Sequence, residues 1–263
     1  MNEQEIIERW TNSSGGFGQV EVWDEAAEGY AAKPIPTFEE DPFLKMIESE
    51  GALSSDMSVL DMGCGAGLYS IAIAPFVRSV TGCDISPKMV EAANKKADEA
   101  GCANVRFIRG DFTDIAFDEP FDLVFAHFTP ALGSASAFQK MMSLAKKWCF
   151  VAMPTRRSDF LLQELRQLVG ISPESDGRDK NFLYAFSLAW LAGKTPSVVH
   201  YDDVWLDKRT LAEAQTVYSE HLVATDLSED QKTIVKNHLA SIAQDGMVFE
   251  RIETTVVMMG WRM

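Results

Sequence analysis

The chain has 263 residues, 46% of them hydrophobic, and carries a formal net charge of −15 with an isoelectric point near 4.7. That length and apolar content suit one large domain, or a domain with a sizeable insertion, and exclude general disorder. The acidity argues against a surface built for a phosphate backbone, which needs basic faces; the doublets nearest a candidate site are Arg156-Arg157 and Lys146-Lys147.

The opening "MNEQEIIERW" is charged and has no apolar core of the signal-peptide kind, and no stretch reaches the roughly 18 apolar residues of a membrane span. Cys64, Cys83, Cys102 and Cys149 are scattered without paired spacing, which predicts free thiols in a reducing, cytoplasmic setting. Residues 1–56 read as N-terminal lid helices, 57–154 as an alternating strand–helix core, and 155–263 as a helical cap insertion with strands that complete the sheet.

Within the core, "SVLDMG" predicts a strand and "GLYSIAIAPF" a helix ending near Pro75. "SVTGCD" is the next strand. "SPKMVEAANKKADEAG" is a helix with Ser86 as N-cap, Pro87 in its first turn and Gly101 closing it. "VRFIRGD" and "FDLVFAHF" follow as strands, then a helix over 137–147 and a fifth strand, "WCFVAMP". Helical patterns recur at 160–168, 182–192, 211–222 and 231–243, and strands at "SVVHYDDVW" and "ERIETTVVMMGWRM". "SPESDGRDKN", residues 172–181, reads as a mobile loop. The fold class is α/β: one domain around a Rossmann-like, mostly parallel seven-stranded sheet.

Behind the first strand stand Gly63, Gly65 and Gly67, with Leu68 where a dinucleotide fingerprint has its third glycine. A glycine turn between strand and helix admits a ligand to the backbone and to free helix amides. Asp84 closes the second strand, where a carboxylate can accept both hydroxyls of a ribose. Asp111, in "IRGDF", closes the third and suits an exocyclic adenine amine, with Phe112 as an apolar wall.

This ordered set, "DMGCGAG", "GCDIS", "RGDF" and "FDLVFAHF", resembles that of the class I S-adenosylmethionine-dependent methyltransferases. The resemblance spans residues 57–154 and implies an antiparallel last strand and S-adenosyl-L-methionine as cofactor. It implies that Asp61 with Gly63, Gly65 and Gly67 cradles the methionine part, that Asp84 holds the ribose, and that Asp111 reads adenine. Neighbouring Cys64, Ile85, Met89 and Phe112 complete that contact set. "VWDEAAEGYAAKP" is similar to the family's lead-in helix, which adds Tyr30, although an amphipathic surface helix reads the same way.

His127 ends the fourth strand at the ligand-facing edge and is the candidate base and a cofactor neighbour; the competing reading is a ring that only packs there. His200, His221 and His238 lack metal-ligand spacing, so no metal is expected. "HFTP" replaces the Pro-Pro-aromatic of adenine-N6 methyltransferases, and the Pro-Cys of cytosine-C5 enzymes is absent. With the acidic charge, this points to a small-molecule acceptor, with a protein side chain as the lesser alternative, rather than nucleic acid. "FLYAFSLAWLAG" is either core or an apolar lid, and Arg156 and Arg157 are available to an anionic acceptor. A nicotinamide-dependent oxidoreductase shares the glycine turn and Asp84 but leaves Asp111 unexplained, and a non-catalytic binder of the cofactor stays open.

Overall fold

A computed structural model describes residues 1–11, 20–171, 178–223 and 226–263. Seven strands form: β1 (Ser58–Met62), β2 (Ser79–Asp84), β3 (Val105–Arg109), β4 (Phe121–His127), β5 (Ala145–Asp159), β6 (Ser197–Thr210) and β7 (Met247–Arg262). Their order across the sheet is β3-β2-β1-β4-β5-β7-β6. β1 through β5 pair in parallel, in registers such as Asp61↔Gly82 and Leu60↔Val124. β7 runs against them: the Met263 amide meets Lys147 O, while Thr155 meets Thr255, so one strand climbs as the other descends. The expected antiparallel last strand is therefore present.

The helices start where side-chain chemistry favours it. Ser86 accepts from the Met89 amide and opens α5 (Pro87–Glu99), which Gly101 at φ +68° ends. α4 (Leu68–Ile73) follows the glycine loop, and α6 (Ala135–Leu144) starts from Ser134. Several boundaries differ from the reading: residues 178–181, read as loop, are helical, the sixth strand runs on to Thr210, the last begins at Met247, and the fifth differs at both ends. The fifth strand begins at Ala145, inside the run taken as helix, because Ala145 is already extended and in ladder register with Phe121. It also continues past Pro154 to Asp159, since Thr155 is bound on both sides to β7 through Thr255 O and Thr254 Oγ1.

Two compact units share the chain where one core was expected. The first comprises Met1–Met153, Lys180–Val199 and Val257–Met263; the second comprises Pro154–Asp179 and His200–Val256. The core of the first gathers Leu60, Met62, Val124, Phe138, Cys149 and Trp261. α8 (Arg178–Leu191) sends Ala185, Leu188 and Ala189 into that core, while Leu183 and Trp190 remain exposed. The second unit has its own core of Leu165, Tyr218, Val235, Leu239 and Val248. Residues 172–177 of the loop reading lie outside the described residues. Among the described residues, no helix is long and apolar enough to cross a membrane.

Candidate active site

All cradle residues lie in the first unit, at the carboxyl ends of β1, β2 and β4. Gly63, Gly65 and Gly67 have φ of +68°, +52° and +76°, a region that costs any other residue about 1–2 kcal/mol. Two of them are also demanded by the protein itself. A Cβ on Gly63 would run into the Thr129 side chain, and one on Gly67 would meet the Phe107 ring and Ala93. Gly65 differs: the nearest atom to its missing Cβ is Met89 Sδ at 3.8 Å. Its amide donates to Asp84 Oδ2 at 2.9 Å.

Asp84 thus ties the loop to the next element, since its Oδ1 accepts the Ser86 amide at 2.9 Å. One bond per oxygen leaves roughly half of the carboxylate's acceptor capacity. Asp61 is 3% exposed and takes its hydrogen bond from Ser70 Oγ at 2.7 Å. Burial pushes its pKa up to about 7, the Asp84 charge adding and Ser70 opposing. Burial raises Asp84 as well, with Asp24 adding repulsion against the amides of Ser86 and Gly65. The charged neighbour each acid feels most is another acid, so the cradle suits a ligand that brings positive charge and hydrogen-bond donors. An amino acid sulfonium with a ribose meets that requirement.

The remaining sequence candidates divide. Met89 is buried with Ala66 and Ala27, Ile85 is half-buried, and the half-buried Cys64 has its thiol pKa raised by burial, with its sulfur 3.7 Å from Gly65 O. These lie on the cradle. Asp111 is exposed and its Oδ1 caps a local turn, accepting from the Thr113 amide at 2.8 Å and Thr113 Oγ1 at 2.7 Å. Phe112 is 3% exposed and packs into the core beside Phe117. Lys140 pins this turn by donating to the carbonyls of Phe112, Thr113 and Ile115. Tyr30, on α2 (Val20–Ala31), is 38% exposed, with its ring against Trp23 and beneath Lys33 Nζ.

His127 sits among rings. Tyr69, Phe128 and Phe43 have centroids 3.9, 4.1 and 5.0 Å from its own. Desolvation there lowers its pKa to about 3, so the imidazole is neutral at physiological pH. A base that weak is a poor match to neutral conditions. Tyr69 is held by its hydroxyl, which donates to Asp41 Oδ2 at 2.7 Å; Asp41 in turn caps α3 (Pro42–Ser49). Phe128 itself has φ +49°, a strained conformation for an aromatic residue.

Sequence reasoning missed Ser70, Tyr69, Ser86 as a latch, and Thr129, and had Asp24 only as part of the lead-in helix, without its partner. Asp24 Oδ1 accepts from Ser86 Oγ at 2.5 Å, which joins α2 to the start of α5. Arg157 lies against Asp159 and Trp205, within the second unit. His238 is 3.2 Å from Glu164, His200 is exposed, and the side chain of His221 lies outside the described residues. Among the described residues, no three His, Cys, Asp or Glu side chains are grouped to hold a metal ion.

Residues 59–148 match the family model described as "Methyltransferase domain". The uncharacterized methyltransferase YcgJ of Bacillus subtilis is 42% identical over 67 residues, 25% of this chain and 26% of that protein. The cypemycin N-terminal methyltransferase of a Streptomyces species is 37% identical over 67 residues, 26% of each; other relatives carry RNA in their names. The matched region is thus about a quarter of the first two relatives' length and 14% and 20% of the RNA-named ones. The crystal structure of YcgJ superposes with a TM-score of 0.50 at 18% identity, covering 82% of this chain and 96% of that one, and so shares the fold. With this sheet order behind the glycine loop, residues 59–148 are similar to a methyltransferase domain, on a fold shared with YcgJ.

Proposed function

We propose that the protein is an S-adenosylmethionine-dependent methyltransferase acting on a small-molecule acceptor. The observation that carries this reading is the pair of acids at the ends of β1 and β2, the buried Asp61 and the half-buried Asp84, beside a positive-φ glycine loop and with acceptor capacity to spare. In this reading Asp84 accepts the ribose hydroxyls, and Asp61 balances the positive charge of the methionine part. Gly65 leaves its backbone open to close approach, while Cys64, Ile85 and Met89 line the cradle. Asp111 keeps an acceptor oxygen toward the adenine amine, and Phe112 supports that turn from the core.

The cofactor, when bound, supplies an electrophilic methyl group on a sulfonium. The chain's own task is alignment and exclusion of water, which can contribute roughly 7–11 kcal/mol without a base. The neutral His127 fits that division: it packs beside the reacting centre and leaves deprotonation to the acceptor's own chemistry. The net charge of −15 and the "HFTP" sequence favour a small acceptor over RNA or DNA.

Calorimetric titration with S-adenosylmethionine and with NAD(H), followed by a labelled-methyl screen of metabolite and RNA fractions, tests this. Tight sulfonium binding with label in the metabolite fraction is expected. Nicotinamide binding alone reverses the cofactor assignment, label in RNA reverses the acceptor, and tight binding without label anywhere leaves a binding protein. Turnover is expected to keep no His127-dependent limb between about pH 5 and 8, because that ring has already lost its proton.

A further inference from the structure

β6 is the outermost strand, so one of its backbone edges has no neighbour among the described residues. Along that strand the amide of Val204 donates to Asp203 Oδ1, and that of Lys208 to Asp207 Oδ1, each at 2.8 Å. An amide turned onto its own neighbour's side chain lies outside the ladder with β7. The even-numbered positions therefore present their backbone groups to the open edge. Leu206 stands midway between them, 76% exposed, and Val204 is 45% exposed. Cross-strand contact of Thr255 with Asp202 puts the odd positions of β7 on this same face, where Phe249, 59% exposed, extends the apolar surface.

The segment "DVWLDKR", 203–209, is self-complementary when reversed about Leu206. Antiparallel to itself, it sets Asp203 opposite Arg209, Val204 opposite Lys208, Trp205 opposite Asp207 and Leu206 opposite Leu206. The two neighbouring registers that keep side chains on their faces fail: one sets Asp203 against Asp207, the other Asp207 against itself. The favoured register also brings the outward, even-numbered backbone groups into paired hydrogen bonds. Arg209 keeps donors for it, since only Nε is engaged by Glu250 Oε1, at 2.7 Å.

We infer that β6 is a self-association edge: two copies of this chain pair antiparallel about Leu206 and continue the sheet across a two-fold axis. Asp203 and Asp207 cover the edge amides of the separate chain, as edge strands are commonly protected. On pairing, the amides of Val204 and Lys208 turn to the second copy, and Asp203 meets its Arg209. The match is of the strand to itself, which is why the occupant is a second copy and no other partner.

Light scattering on the full chain, across a micromolar to submillimolar range, reads the state directly. The wild type is expected to dimerise with rising concentration. Leu206→Lys and Leu206→Glu, at an exposed position that folding does not need, are each expected to weaken dimerisation at least tenfold. An equimolar mixture of the two is expected to restore it, because lysine then faces glutamate across the axis. A wild type that stays monomeric throughout overturns the inference. So does a dimer indifferent to both substitutions, and failure of the mixture to restore association overturns the register at Leu206.

Discussion

Asp61→Asn separates the cost of the buried acid from its use. In the folded chain the carboxyl pKa is held up at about 7 against an ordinary 3.8, roughly three units at about 1.36 kcal/mol each, or about 4 kcal/mol. A raised folded pKa means that the native state binds more protons than the unfolded state between those values. The stability tied to Asp61 is therefore fully present below about pH 4 and is lost as pH rises through about 7. Asparagine keeps the shape and an oxygen for Ser70 Oγ but carries no charge to bury. The variant should match the wild type near pH 4 and exceed it by about 2–4 kcal/mol at pH 8, with ligand absent from both. For a protein of this size that is roughly 5–15 °C in thermal midpoint. Denaturant titrations at several pH values measure it. An advantage that does not change between pH 4 and 8, or a less stable variant at pH 8, refutes the reasoning.

The other expectations follow from single contacts. Asp84→Ala removes charged bonds at roughly 1.5–3 kcal/mol each, so S-adenosylmethionine affinity should fall about ten- to a thousand-fold by calorimetry, and an unchanged affinity in the folded variant would misplace the cofactor. Gly63→Ala should destabilise through both its φ and the Thr129 clash; adding Thr129→Ala should recover only the part of the clash due to Oγ1, since the Thr129 Cβ still lies 2.7 Å from the new methyl, and a double-mutant cycle in urea resolves that share. Phe128→Gly should be more stable than Phe128→Ala by about 1 kcal/mol, because both lose the ring and only glycine relieves φ +49°; equal stabilities would deny the strain.

What the sequence disclosed and what it withheld divide along contact distance. The Ser86 cap, the Gly101 stop and the glycine turn are local chemistry, fixed by residues within a few positions, and each is found where it was read. Asp61, Asp84 and Gly65 were legible because strand ends in a parallel sheet share one edge. Asp24 with Ser86, 62 positions apart, and Tyr69 with Asp41, 28 apart, exist only once the fold has formed. The start of β5 was misread because Ala-Lys-Lys favours helix locally, and pairing with β4 overrides that preference. The second core was illegible for a similar reason, since β5 and β7 each pass from one unit to the other within a single unbroken strand.

The latch between α2 and α5 sets a tempo for the cradle. α2 is joined to α5 and the loop by Asp24 Oδ1, which accepts from Ser86 Oγ and the Lys88 amide, by Lys96 Nζ on Ala31 O, and by Ala27 packed with Ala66 and Met89, with Trp23 and Ala26 alongside. An attachment through one helix face, outside the sheet's ladders, opens locally before the sheet unfolds, and its amides should exchange with solvent faster than those of β1 or β4. In the function proposed above, a cofactor resting on the loop at Ala66 would leave only as that helix lifts, so residence time would follow the latch and affinity the acids beneath it.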